Sequence, residues 1–172
     1  MNPKPVNGYN KDTQMKDSLR KGISFGLTSA VITTLGLMVG LQSGTHSHIV
    51  VISGILTIAI ADAFSDALGI HISEEAECVH TTGEIWQATI ATFLTKFLAA
   101  MTFVVPVLFL SLSTAIVVNL IWGMSILTIL SYVIAKSLGE PPWKIICEHL
   151  LIAIIVIAIT HWAGNRIGMI SL

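Results

Sequence analysis

The run Gly54-Ile-Leu-Thr-Ile-Ala-Ile-Ala-Asp62-Ala-Phe-Ser-Asp66-Ala-Leu-Gly69-Ile-His-Ile-Ser73 is apolar enough to cross a lipid bilayer, yet holds two aspartates. On an α-helix, residues four apart share a face, so Asp62 and Asp66 point the same way. An ionised side chain at bilayer depth costs several kcal/mol and therefore faces a bundle interior, a partner or an aqueous path. Two carboxylates on one stripe call for a compensating partner or a function.

Working outward, the rest of the chain has the composition of an integral membrane protein. Of 172 residues, 53% are hydrophobic and only 11% charged, with a mean hydropathy of +0.81, outside the usual balance for a soluble domain. Apolar runs near the length of about 20 residues needed to span a bilayer occur at about 23–41, 49–70, 86–110, 114–135 and 145–164. They are long and continuous, without the alternation of barrel strands, so they predict an all-α bundle of five transmembrane helices. Residues 1–22 form a polar tail without the apolar core of a cleavable signal, and no processing before the first span is expected.

Charge placement orients the bundle. Lys4, Lys11, Lys16, Arg20 and Lys21 precede the first span, and Lys136 and Lys144 lie between the fourth and fifth. The connection 42–48 has no Lys or Arg, nor does Ser111-Leu-Ser113, and beyond the fifth span only Arg166 is basic. The positive-inside rule then puts the amino terminus in the cytoplasm and the carboxyl terminus outside. Cys78 and Cys147 fall on or near the cytoplasmic side, where thiols stay reduced, so no disulfide is expected. The net charge of -1 and the absence of a basic cluster argue against nucleic acid as a partner. The membrane is the cell membrane in a prokaryote, or a vacuolar or other organelle membrane in a eukaryote.

The connection 71–85 breaks the positive trend. It holds His71, Glu74, Glu75, Glu77, Cys78, His80 and Glu84 without one Lys or Arg. Carboxylate and imidazole together suit Fe2+, Mn2+, Zn2+ or Ni2+, and oxygen ligands alone lean toward Mg2+, Ca2+ or Mn2+. Glu74 and Glu77 share a helix face and form half a site that His71, His80 or Glu84 would complete, with Glu148 and His149 at similar depth. A solvated turn between helices is the plain alternative.

The order of these features resembles the vacuolar iron transporter family of divalent-metal exporters. Phe25-Gly-Leu-Thr-Ser-Ala-Val-Ile-Thr-Thr-Leu-Gly-Leu-Met-Val-Gly40 is similar to the family's opening helix, F-G-x-N-D-G followed by V-[ST]-T-L-x-L-V-x-G. Ser65-Asp-Ala-Leu-Gly-Ile-His-Ile-Ser73 is similar to S-M-A-x-G-E-[YF]-V-S, with weaker echoes in Pro106 and in Thr160-His-Trp-Ala-Gly164-Asn-Arg166-Ile-Gly168. The resemblance covers the chain from Lys21 onward. It implies a homodimer that exports Fe2+ or Mn2+, with Zn2+ or Co2+ as further cargo, by proton antiport. The implied path is lined by Ser29 and Thr33 of the first span and by Asp62 and Asp66 of the second.

The chain also departs from the family pattern. Ser29 stands where the family's first helix has aspartate, and Asp66 and Ile70 stand where its second has methionine and glutamate. A thioether has become a hard oxygen, which favours harder ions such as Mn2+, Fe2+ or Mg2+. The family's glutamate-rich cytoplasmic bundle has shrunk here to about a dozen residues.

Competing readings attach to each group. Lys96 of the third span matches Asp62 in depth, at about 15 Å; it pairs with the aspartates as a structural ion pair or snorkels to the interface. His46 and His48 read as a polar turn and His161 as an interface residue. Met38, Met101 and Met124 read as packing, and Asn119 as an interhelical hydrogen bond. Gly22, Gly26, Gly36 and Gly40, with Ala59, Ala63 and Ala67, form small-residue ridges that serve packing within one subunit or between two. A transport-inactive membrane scaffold of the same fold is the second functional reading. An intramembrane metalloenzyme is a third, weakened by the lack of any H-E-x-x-H pair or nucleophile elbow, so the chain is read as a non-enzyme.

Overall fold

A computed structural model describes residues 11–170, with side chains from Asp17 onward; residues 1–10, including Lys4, and the side chains of Lys11 and Lys16 lie outside the described part. The described chain consists of five α-helices: α1 (Lys11–Thr45), α2 (His48–Ala76), α3 (Thr82–Phe109), α4 (Leu112–Leu138) and α5 (Pro142–Ile170). All five are long and apolar enough to cross a membrane.

Each helix outruns the apolar stretch that announces it. α1 already includes Arg20 and Lys21, which the sequence placed in a polar tail, and α2 continues to Ala76, leaving only residues 77–81 before α3. Backbone groups near hydrocarbon have no water to bond, so a helix continues until a local device stops it. At α3 that device is a capping box. The Thr81 side chain accepts from Glu84 N–H while the Glu84 carboxylate accepts from Thr81 N–H at 2.7 Å. At α4 it is Gly139, whose φ of +70° puts the chain in the left-handed region.

The short connections make successive helices antiparallel, so the starts of α1, α3 and α5 share one end of the bundle with the ends of α2 and α4. Contacts tie these ends together. Lys21 near the start of α1 meets Glu77 just past α2, and His48 at the start of α2 meets the Leu110 carbonyl after α3 at 3.2 Å. Ser43 near the end of α1 lies 2.5 Å from His161 toward the end of α5.

α1 is the central helix and packs against the other four. Its glycines set how closely they approach. A Cβ on Gly26 would lie 2.7 Å from the Thr92 carbonyl oxygen of α3, and one on Gly168 of α5 would lie 2.9 Å from the Gly44 carbonyl. Gly164 abuts the backbone of Gly40 in the same way. The ridge glycines Gly22, Gly26, Gly36 and Gly40 all face other helices of the same chain, and Ala59, Ala63 and Ala67 are likewise buried in it. Lipid supplies no hydrophobic drive between helices, so van der Waals contact at such close approaches holds them together.

The core centres on Val31, Leu35, Met38, Val51, Ile55, Phe103, Val107 and Leu127. Asn119 crosses it, donating to the Phe103 carbonyl at 2.9 Å and to the Met38 thioether Sδ at 3.2 Å. Large apolar side chains such as Ile60, Phe64, Leu98, Ile121 and Ile155 face outward, as expected where lipid rather than water is the solvent. The buried stripe of α2 runs Val51, Ile55, Ala59, Ala63, Ala67, Ile70, Glu74, so Ile70 lies between Asp66 and Glu74 on one flank.

A Gly164→Val substitution should force α5 off α1. It should destabilise the protein by about 1–3 kcal/mol, read as a lowered melting temperature in detergent, whereas Gly69→Ala, where a Cβ meets nothing within 4 Å, should not.

Candidate functional site

The midpoint of α2 is Asp62 and that of α3 falls at Lys96, so antiparallel packing of these helices brings the two to one depth. Lys96 is 2% exposed, and an isolated ammonium there would be costly. Three oxygens surround it. Asp62 Oδ2 lies 2.6 Å from Lys96 Nζ, Ser29 Oγ of α1 accepts from it at 2.7 Å, and Asp66 Oδ2 forms the closest contact. Ser29 also donates to Asp66 Oδ2 at 2.6 Å. An ammonium has three donors and no acceptor; here Ser29 and Asp66 each accept one, and Asp62 adds an ion-pair contact.

The two aspartates are not equivalent. Asp66 accepts directed hydrogen bonds from both Ser29 and Lys96. Asp62 makes an ion-pair contact without hydrogen-bond directionality, and its side chain is 30% exposed against 19% for Asp66. It opens onto a shallow groove between α1, α2 and α5 lined by Thr33, Gly36, Ile58, Ser65, Val156 and Thr160 among others. The Thr33 hydroxyl donates to the Ser29 carbonyl at 2.9 Å within α1, so Thr33 borders the groove without touching the ion cluster. The cluster sets one lysine against two aspartates, a formal charge of -1, with Asp62 on the side that faces the groove.

A second acidic group lies at the end of the bundle. Ligand atoms of Glu74, Glu77 and His80 lie within 4.8 Å of one another. His80 Nε2 is 3.3 Å from Glu74 Oε2 and 3.4 Å from Glu77 Oε2. Lys21 of α1 inserts here, contacting the fully buried Glu74 and, at 3.0 Å, Glu77. Lys21 was read from the sequence only as a topogenic charge, and nothing in local spacing reveals that α1 delivers it to α2.

The other residues expected at this end are engaged elsewhere. His71 turns to α3, with Nδ1 3.0 Å from Thr89 Oγ1 and its ring edge against Trp86. The Thr89 hydroxyl also lies 2.7 Å from the Ile85 carbonyl of its own helix. Glu84 serves the capping box described above, for which the sequence carries the Thr-x-x-Glu signal. Glu148 is exposed on α5 and stands outside the group, while His149 pairs with Ser131 of α4 at 2.8 Å. At the opposite end His161 is more than an interface ring, since it meets Ser43 and, at 3.1 Å, Asn165.

Comparison with protein-family models, with curated proteins and with solved structures gave no match for the chain.

The hydrogen bond from the Lys21 ammonium holds the Glu77 carboxyl below the usual carboxylate range. A carboxyl depressed in the native state binds fewer protons there than in the unfolded chain. Its contribution is therefore present at neutral pH and lost as pH falls through the depressed value. Glu77→Gln should remove that component, so the melting temperature of the wild type should fall more steeply on acidification than that of the variant. Equal slopes would show the contact to be energetically silent.

Proposed function

We propose that the protein is a multi-pass membrane transporter that exports a divalent transition-metal cation, Fe2+ or Mn2+, from the cytoplasm in exchange for protons. On this reading it is a divergent relative of the vacuolar iron transporters with a shortened metal-gathering region. The observation that carries the proposal is the Asp62–Asp66–Lys96–Ser29 cluster at mid-helix depth, two acids against one lysine beside a groove that reaches Asp62. Ionisable groups at such depth mark ion pathways more often than packing. Hard oxygen ligands suit Mn2+ and Fe2+, and a carboxylate cannot hold a proton and a metal ion through the same lone pair, which makes the two exchangeable cargo.

The remaining parts follow from this assignment. The end carrying Glu74, Glu77 and His80 is the cytoplasmic entry, matching the surplus of Lys and Arg at that end. A second copy of the chain against the exposed flanks of α2 and α5 would wall the groove off from lipid and complete the path, as expected for a homodimer.

One observation favours a different reading. Lys96 contacts both carboxylates at once, so the cluster serves equally as a staple joining α1, α2 and α3 in a transport-inactive scaffold.

Reconstitution separates the two. Asp62→Asn and Asp66→Asn should each reduce proton-driven Mn2+ or Fe2+ flux in liposomes to background while leaving the protein folded; wild-type rates in both variants would reject the transporter. Orientation has its own test. Cys78 and Cys147 are exposed free thiols near the proposed cytoplasmic end, so a membrane-impermeant maleimide should label neither in intact cells and both after permeabilisation. Labelling from outside would invert the topology.

A further inference from the structure

Two acid pairs, Asp62 with Asp66 on α2 and Glu74 with Glu77 at its end, are already filled, each by a lysine from another helix. Lys21 of α1 lies against Glu74 and Glu77, and Lys96 of α3 lies against Asp62 and Asp66. The inner site is the more complete. Its three oxygens come from two helices and converge on one point, none of them from α3, which brings only the cation. That is the arrangement of a small oxygen-ligand cation site with an ammonium in the cation's place.

We propose that Lys96 is a tethered resident cation. Its ammonium holds the site formed by Ser29, Asp62 and Asp66 closed at rest, and a divalent cation enters only by displacing it. The inference rests on the transport reading above and adds to it what controls occupancy of the site. Lysine suits this role because its charge is compact and sits on a flexible four-carbon stem, so the ammonium can withdraw without unwinding α3. The unequal aspartates give the exchange a direction. Asp66 is held by Ser29 as well as by Lys96, whereas Asp62 has only the ion-pair contact and faces the groove, so an arriving cation meets Asp62 first.

A purely structural staple makes a different prediction. Removing Lys96 from a staple leaves two uncompensated carboxylates and a weaker fold. Removing a resident cation leaves the same weakness together with a vacated site that a divalent ion fills.

The test is Mn2+ binding to purified protein, followed by loss of the free-ion electron paramagnetic resonance signal and by thermal melting. Lys96→Met should bind Mn2+ about tenfold or more tightly than the wild type, since a competing unit charge a few ångströms away is gone, and Mn2+ should raise its melting temperature. Adding Asp62→Asn to Lys96→Met should abolish the gain, which excludes the Glu74–Glu77–His80 group as its source. Lys96→Arg keeps the charge in a fork that grips carboxylates more firmly, so it should bind Mn2+ more weakly than the wild type. Lys96→Met binding no tighter than wild type, or a gain that survives Asp62→Asn, overturns the proposal. Should Lys96→Met not fold, Lys96→Arg decides alone, and binding equal to or tighter than wild type overturns it. Absence of Mn2+ flux through wild-type liposomes alongside the same binding gain would reject the transport reading and support the resident cation.

Discussion

A buried ammonium in hydrocarbon must have all three of its donors met, and this requirement fixes the arrangement of three helices. Lys96 draws Ser29 from α1 and Asp62 and Asp66 from α2, which sets the rotation of each helix about its axis as well as its depth. Removing the Ser29 or Asp66 oxygen would leave a donor unpaired, and removing Asp62 would take away a compensating charge, at about the position where that is most costly. The close packing of α1 on α3 through Gly22 and Gly26 is consistent with this demand, since Ser29 carries a short side chain and reaches Lys96 only if the backbones lie near each other.

The same logic extends along the bundle. At one end Lys21 and His80 surround the buried Glu74; at the other, Ser43, His161 and Asn165 bridge α1 and α5. Between them lie the Lys96 cluster, the buried hydroxyls of Thr34, Thr92 and Ser131, and Asn119, whose amide spans α3 and α4 and meets the Met38 thioether of α1. The contacts of Lys21, Lys96, Asn119 and His161 join different helices, while glycines let the backbones approach closely. Membrane bundles rely on this division because burial of apolar surface does not separate helix–helix from helix–lipid contact.

Much of this was legible in the chain before any coordinates. Five spans follow from apolar length alone, and the shared face of Asp62 and Asp66 follows from helical spacing. The depth match of Lys96 follows from counting along antiparallel helices. What could not be read is which helix turns toward which. Ser29 gives no local sign that it faces a lysine 67 residues away, and Lys21 near a span end is indistinguishable from a charge that only orients the protein. His71 and Glu84 sit in an acidic stretch and share its composition, yet one bonds to Thr89 and the other caps α3. Composition groups residues along the chain, whereas helix rotation separates them.

Ile70 has a consequence of its own. It divides the α2 flank between Asp66 and Glu74, eight residues or about 12 Å apart along the helix axis, and it is 8% exposed. No α2 oxygen ligand on that flank bridges the interval. Ile70 therefore keeps the two acid groups as separate islands on α2, where an oxygen-bearing side chain at that position would join them into one continuous polar stripe.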